Sequence, residues 1–214
     1  MIEVELKFAV PSGSEASLQA TLEALPQVRR FEESVENIST DMYYDTPAYD
    51  AFRRAIFIRI RNSSILELKF HEQDDPDHLH STERIFPLDA DAQQIRELNA
   101  LCVRLLPAWN RAETLEALFQ ANDLRLFVPV EKHRMRYAYQ DTALCLDSVT
   151  GLGTFLEIET LCETHAEIEQ ANTRLLSVVS QLACPDLHPV RIGYVELWLR
   201  QHLPQVYLLG KYQA

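Results

Sequence analysis

The sequence predicts an α+β protein built on an antiparallel sheet that closes into a β-barrel of about eight strands with a polar, charged lumen, flanked by helices. Three observations predict this fold. Many short segments alternate apolar and polar residues, as half-buried strands do. Amphipathic segments with helical spacing lie between these strands and after them. Charges of one sign recur two residues apart on several strands, and such residues share one face of a strand.

Composition sets the class of protein before any motif is considered. A chain of 214 residues with 47% hydrophobic and 24% charged residues suits a single globular domain, 1–214, ending in a helical tail at about 192–214. No run reaches the ~18 apolar residues of a membrane-spanning helix. The four cysteines lack CxxC spacing, so we expect reduced thiols in a cytoplasmic protein. A net charge of −12 predicts neither nucleic acid nor a membrane as partner, and the oligomeric state stays open.

The elements follow from these patterns in chain order. Alternation predicts strands at 2–9, 28–36, 40–46, 55–62, 65–71, 79–87, 130–139, 142–149 and 154–161. Helical spacing predicts helices at 14–25, 89–106, 111–122, 163–183 and 192–203. Ser14 and Asp89 are the predicted N-caps of the first two helices. The run QDDPD at 73–77 predicts a turn between two strands.

The charged strand faces divide into acidic and basic groups. A solvated outer face would explain any one strand, but like charges on one face repel, so grouped charges favour ligands that neutralise each group. The acids suit a hard divalent cation, Mg²⁺ or Mn²⁺, and are Glu3, Glu5, Asp147, Glu157 and Glu159. The bases suit a polyanion such as a polyphosphate and are Lys7, Arg59, Arg61, Lys69, Lys132, Arg134 and Arg136. A barrel lumen would hold both groups.

An ordered set of motifs then identifies a family resemblance. Glu3-Val4-Glu5-Leu6-Lys7 is an ExExK signature, and it is followed by YYDTP at 43–47, the Arg59/Arg61 strand and Glu67-Leu68-Lys69. Lys132/Arg134, Asp147 and the stretch LGTFLEIE at 152–159, which ends in Glu157 and Glu159, complete the set. The chain resembles the CYTH superfamily, the triphosphate tunnel metalloenzymes. It looks most like the thiamine triphosphatases, because of YYDTP and the tail RIGYVELWLRQHLPQVYLLGKY, with Arg191 where that group has lysine.

The resemblance implies Mg²⁺-dependent (or Mn²⁺-dependent) hydrolysis of a small triphosphate, with thiamine triphosphate favoured. The implied metal ligands are the five acids named above. Lys7 and Tyr43 are the implied catalytic residues, since a lysine held among other cations gives up its proton readily and can then take one from water. The implied substrate-binding residues are Lys7, Phe57, Arg59, Arg61, Lys69, Glu83, Lys132, Arg134, Arg136 and Arg191.

Three departures from the family pattern leave alternatives open. One strand carries a single acid, Glu83, where the family often has two. Cys145 stands where some thiamine triphosphatases have a metal-binding acid, and Phe57 stands where the animal enzymes have tryptophan. The alternatives are an inorganic tripolyphosphatase, a class IV adenylyl cyclase and a non-catalytic binder of triphosphates or polyphosphate.

Overall fold

The computed structural model describes residues 1–31, 38–72, 80–182 and 186–212. Its strands are β1 (Ile2–Val10), β2 (Arg29–Arg30), β3 (Ile38–Asp45), β4 (Phe57–Arg61), β5 (Ile65–Phe70), β6 (His80–Pro87), β7 (Arg125–Tyr139), β8 (Thr142–Val149), β9 (Gly153–Cys162) and β10 (His188–Val190). Its helices are α1 (Glu15–Ala24), α2 (Ala92–Leu105), α3 (Leu115–Ala121), α4 (Ile168–Gln181), α5 (Tyr194–His202) and α6 (Pro204–Tyr207). Short 3₁₀ turns lie at Phe52–Arg54 and His165–Glu167.

Hydrogen bonding joins the strands into one sheet that closes on itself. The order along the sheet is β1-β6-β5-β4-β3-β7-β8-β9, and β9 also pairs with β1. The β1–β9 pairing is antiparallel from Ile2↔Cys162 to Val10↔Thr154. The two short strands are additions to this ring, with β10 on β1 and β2 on β7. The predicted fold class, an eight-stranded antiparallel barrel with flanking helices, is therefore confirmed.

The chain divides into two compact units, each with its own core. The first comprises Met1–Ser39, Gln73–Thr82 and Glu131–Gly193, and the second comprises Thr40–Glu72, Glu83–Val130 and Tyr194–Ala214. In the first unit, the apolar face of β1 packs with Leu175 and Val178 of α4. In the second, Ile58 and Leu68 pack with Leu98 of α2. Helices thus cover the apolar strand faces, and the charged residues lie on the opposite faces.

Most predicted elements exist, and the differences lie at their ends. Asp89 is wrong as an N-cap, because α2 begins after Asp91, whose carboxylate accepts hydrogen bonds from the Gln93 and Gln94 amides. Ser14 is the N-cap of α1, as predicted, although its side chain makes no capping bond. The helix predicted at 111–122 begins only at Leu115, after the cap Thr114. The short elements β10 and α6 were not predicted.

Some predictions fall partly or wholly on residues outside the described ones. The turn at 73–77, residues 32–36 of the strand predicted at 28–36, and Cys184 all lie there. The other three cysteines, Cys102, Cys145 and Cys162, are free thiols, as expected. Within the part of the chain that is described, none of the helices has the length and apolar character needed to cross a membrane.

The YYDTP motif contributes a structural anchor to the second unit. The buried carboxylate of Asp45 accepts hydrogen bonds from the amides of Thr46, Ala51 and Phe52 at 2.7, 3.0 and 2.8 Å. It thereby holds a segment in which Tyr49 and Ala55 have φ angles of 59° and 54°, in the left-handed region that residues with a Cβ adopt at a cost. Asp45 therefore fixes the chain between β3 and β4.

We expect Asp45→Ala to lower the free energy of unfolding by about 2–4 kcal/mol, because buried amides lose their acceptor. Urea denaturation followed by circular dichroism measures this change. Asp141→Ala is the control, since Asp141 forms an exposed pair with Arg174. Equal destabilisation by the two substitutions would contradict the anchoring role.

Candidate active site

Opposite charges face each other across neighbouring strands. We expected acids and bases to form separate groups that external ligands neutralise, and at these positions that expectation is wrong. Each charge instead meets its opposite on the next strand, an arrangement that stabilises a sheet. The directly opposed pairs are Arg59↔Glu67, Arg61↔Asp41, Arg134↔Asp147 and Lys7↔Glu157.

In the first unit, Asp147 holds two bases of β7. Its fully buried carboxylate lies 3.1 Å from Lys132 Nζ and 2.7 Å from both Nε and Nη2 of Arg134. Arg134 also pairs with Glu157. Burial disfavours the Arg134 charge, but Glu157 and Asp147 outweigh it and raise the pKa of this guanidinium. Asp147 and Glu157, two of the expected metal ligands, thus lie in contact with bases.

Lys7 has acidic rather than basic neighbours. Its buried amine lies 2.8 Å from Glu5 Oε1 and 3.2 Å from Glu157 Oε1. The resemblance led us to expect cations around Lys7, and these two ion pairs are with carboxylates instead. The amine thus bridges Glu157 of β9 and Glu5 of β1.

Three acids of the first unit lie together at a place where two neighbouring strands present charges of the same sign. Glu5 lies directly opposite Glu159, so two carboxylates face each other across β1 and β9. One oxygen from each of Glu3, Glu5 and Glu159 lies within 4.8 Å of the others. Burial, with the neighbouring acids Glu3, Glu157 and Glu5, raises the pKa of Glu159 to about 8, against the opposing influence of Arg134. We call these three residues the acidic cluster.

The donor set of the acidic cluster fits a divalent cation. Carboxylate oxygens are the ligands that Mg²⁺ and Mn²⁺ prefer. Like charges directly opposite each other destabilise a sheet, so a cation between them would remove that repulsion. Of the five acids predicted to bind metal, Glu3, Glu5 and Glu159 have the geometry of a shared site.

The raised pKa of Glu159 gives a signed prediction for stability. Between its ordinary value of 4.5 and about 8, the folded state binds more protons than the unfolded state. Stability should therefore fall as pH rises through this window, and the loss should be complete above the folded pKa. In EDTA, we expect the melting temperature to fall more from pH 5 to 8.5 for the wild type than for Glu159→Gln. Parallel curves for the two proteins would contradict this prediction.

In the second unit, buried carboxylates hold both arginines of β4. Arg59 Nε lies 2.8 Å from Glu67 Oε2, and Arg61 Nε lies 2.9 Å from Asp41 Oδ1. Asp41 and Glu67 are each 1% exposed. Sequence reasoning missed both as site residues. A signal existed for Asp41, because it lies two residues before Tyr43 and so on the same face of β3.

Tyr43 and Phe57 lie beside these arginines. Arg59 Nη1 donates a hydrogen bond of 3.1 Å to the Tyr43 hydroxyl. Burial is the largest influence on this phenol and raises its pKa, so Tyr43 keeps its proton at neutral pH. The rings of Tyr43 and Phe57 meet edge to face, with centroids 6.5 Å apart. The predicted aromatic residue therefore lies next to the predicted catalytic tyrosine.

The remaining predicted residues differ in their surroundings. Lys69 and Arg59 both contact Glu83, at 3.4 and 3.5 Å. Arg136 is half-exposed, with Nη2 3.9 Å from Glu159 Oε1. Arg191 is exposed and follows β10. Cys145 is buried opposite Arg136 and Glu157 in the strand register, and burial raises the pKa of its thiol.

Comparison with known proteins agrees with the predicted family. A profile of the CYTH domain matches residues 1–194. No curated protein matches the chain.

Solved structures share the fold at low sequence identity. The PH1819 protein from Pyrococcus horikoshii is 24% identical with a TM-score of 0.60, covering 94% of this chain and 99% of its own. A putative adenylate cyclase from Vibrio parahaemolyticus is 16% identical with a TM-score of 0.63, covering 92% and 98%. A putative adenylyl cyclase from Hippeastrum, described as having a dominant triphosphatase activity, is 20% identical with a TM-score of 0.57, covering 94% and 96%.

Proposed function

The chain belongs to the CYTH domain family, and we propose that it is a divalent-metal-dependent triphosphate hydrolase whose favoured substrate is thiamine triphosphate. The products are thiamine diphosphate and phosphate. The observation that carries the proposal is the acidic cluster, in which Glu5 and Glu159 face each other and share a site with Glu3. Carboxylate oxygens of these three acids lie within 4.8 Å of one another, as ligands of one cation must.

The acidic cluster supplies the proposed metal ligands. When bound there, Mg²⁺ or Mn²⁺ would offset the negative charge of a triphosphate and of the phosphoryl group in transfer. Glu3, Glu5 and Glu159 would hold this ion. Asp147 and Glu157 take a different part, because they contact Lys132, Arg134 and Lys7 and keep these bases in place.

The basic residues are proposed to bind the oxygens of the triphosphate. Phosphoryl transfer depends on positioning and on neutralising phosphate oxygens, which forked guanidinium groups match in geometry. Lys132 and Arg134 serve in the first unit, and Arg59, Arg61 and Lys69 serve in the second. Lys7 is the proposed base toward the attacking water. Tyr43, which keeps its proton, serves by donating a hydrogen bond rather than by accepting a proton.

Phe57 is the basis of the thiamine preference. A cationic thiazolium ring is attracted to an aromatic face, and Phe57 lies beside Tyr43 on the strand that carries Arg59. An inorganic tripolyphosphatase would need no such ring. Adenylyl cyclase is the second candidate, because two structural neighbours are described as putative cyclases.

A product assay on the purified protein tests the proposal. Phosphate release is measured from equal concentrations of thiamine triphosphate, tripolyphosphate and ATP, each with Mg²⁺, Mn²⁺ or EDTA. Cyclic AMP and pyrophosphate are measured in the same samples. We expect the highest kcat/KM for thiamine triphosphate and no activity in EDTA. Preference for tripolyphosphate would overturn the thiamine assignment, cyclic AMP would replace the hydrolase with a cyclase, and binding without turnover would indicate a non-catalytic binder.

A further inference from the structure

One oxygen of Glu83 lies between two bases of the second unit. Its Oε1 is 3.5 Å from Arg59 Nη2 and 3.4 Å from Lys69 Nζ. Both distances exceed those of well-formed charged hydrogen bonds, which are about 2.7–2.9 Å. The Glu83 side chain is 21% exposed, whereas the Asp41 and Glu67 side chains are each 2% exposed. Of the three acids that contact the arginines of β4, Glu83 is therefore held least tightly.

Asp41 and Glu67 hold the two guanidinium groups more tightly than Glu83 does. They bind the Nε atoms of Arg61 and Arg59 at 2.9 and 2.8 Å from buried positions. Such contacts fix the direction in which the terminal nitrogens of each arginine point. The hydrogen bonds that Arg59 donates to other described residues come from Nε and Nη1, whereas its Nη2 has the long contact of 3.5 Å with Glu83. The terminal nitrogen is held weakly while the base of the guanidinium is held firmly.

We propose that Glu83 is an internal competitor that occupies a phosphate position between Arg59 and Lys69 until substrate displaces it. This inference rests on the proposed function, since it assumes that the two bases bind a triphosphate. One anionic oxygen shared by two cations is the arrangement that a bridging phosphate oxygen adopts. A triphosphate carries several charges and more acceptor oxygens than one carboxylate, so it outcompetes Glu83. Glu83 thus acts against binding, although the family resemblance implied that it contributes to binding.

This competition selects for highly charged ligands. A ligand with a single phosphate gains little when it replaces a carboxylate that is already in position. A triphosphate gains contacts along its whole chain for the same displacement. The same displacement cost weakens both ligands by a similar factor, and we therefore expect tripolyphosphate, which has the further contacts, to bind measurably where inorganic phosphate does not.

Isothermal titration calorimetry with inorganic tripolyphosphate and inorganic phosphate, in EDTA, tests the inference on wild type, Glu83→Gln and Glu72→Gln. Glu72 is the matched control, because it pairs with Arg104 at the surface of the same unit and the substitution removes the same charge. We expect Glu83→Gln to bind tripolyphosphate about fivefold more tightly than wild type, as loss of a partly exposed ion pair of about 1 kcal/mol implies. Glu72→Gln should bind like the wild type.

The outcomes separate this inference from the proposed function. Unchanged or weaker binding by Glu83→Gln overturns the internal competitor while leaving hydrolysis by the wild type untouched. Equal tightening by Glu72→Gln would also overturn it, because net charge alone would then explain the effect. If the wild type neither binds tripolyphosphate nor hydrolyses any triphosphate, the proposed function fails and this inference fails with it. Thermal unfolding of each variant confirms that the comparison is between folded proteins.

Discussion

Glu159→Gln is expected to lower kcat by roughly 100-fold or more at fixed Mg²⁺, and to raise the Mg²⁺ concentration needed for half-maximal activity. Glu159 lies directly opposite Glu5 and shares a site with Glu3, so its removal breaks the acidic cluster at its centre. The amide keeps the size of the side chain but loses the charge that attracts a cation. Steady-state kinetics over a range of Mg²⁺ concentrations measures both effects.

A second variant shows whether the loss of activity comes from removing any negative charge or from removing this particular carboxylate. Glu163→Gln removes the same charge from an exposed position shortly after β9 and should keep nearly full activity. Stability gives a second distinction, because the raised pKa of Glu159 means that folding disfavours its ionised form, which lowers stability at neutral pH relative to an amide. Glu159→Gln should therefore be at least as stable as the wild type while being far less active. Full activity at ordinary Mg²⁺ concentrations would remove Glu159 from the metal site.

Alternation along single strands predicted which residues share a face. Glu3 and Glu5 lie on one face of β1, and their neighbours Val4 and Phe8 are buried, as period-two patterning requires. This assignment needs only the sequence of the strand itself. It is well determined, because a slip of one residue would bury the charges and expose the apolar row. The helix ends were less certain, since caps such as Asp91 depend on side chains that compete for the same backbone amides.

Which residue lies opposite which on the neighbouring strand could not be predicted in the same way. Alternation assigns Arg59 and Glu67 each to a face, but only the register of β4 against β5 makes them direct partners. Glu5 and Glu159 are far apart in sequence, and their encounter depends on the closure of the sheet through β1 and β9. The sequence therefore predicted which strand faces carry acids and which carry bases. It could not separate the acids that face acids from those that face bases.

Lys7 pairs with two acids, so it can serve either as a general base or only as their charged partner. Substitution of Lys7 by methionine and by arginine tests which role it has. We expect Lys7→Met to lower kcat by about 100- to 10,000-fold, the usual contribution of a positioned general base. Loss of the amine also removes the partner of Glu5 and Glu157, so a purely electrostatic role would give a loss as well. Melting temperatures of both variants show whether the fold survives the substitution.

Lys7→Arg distinguishes a base from a charged partner. Arginine stays protonated in proteins, so it can pair with Glu5 and Glu157 but cannot take a proton from water. If Lys7 is the base, Lys7→Arg should be about as inactive as Lys7→Met while melting close to the wild type. If Lys7 only neutralises its two carboxylates, Lys7→Arg should recover most of the activity, and water activation would then fall to another group. Arginine can bind Glu5 and Glu157, the two carboxylates to which the Lys7 amine pairs at 2.8 and 3.2 Å, so the activity of Lys7→Arg decides between the two roles.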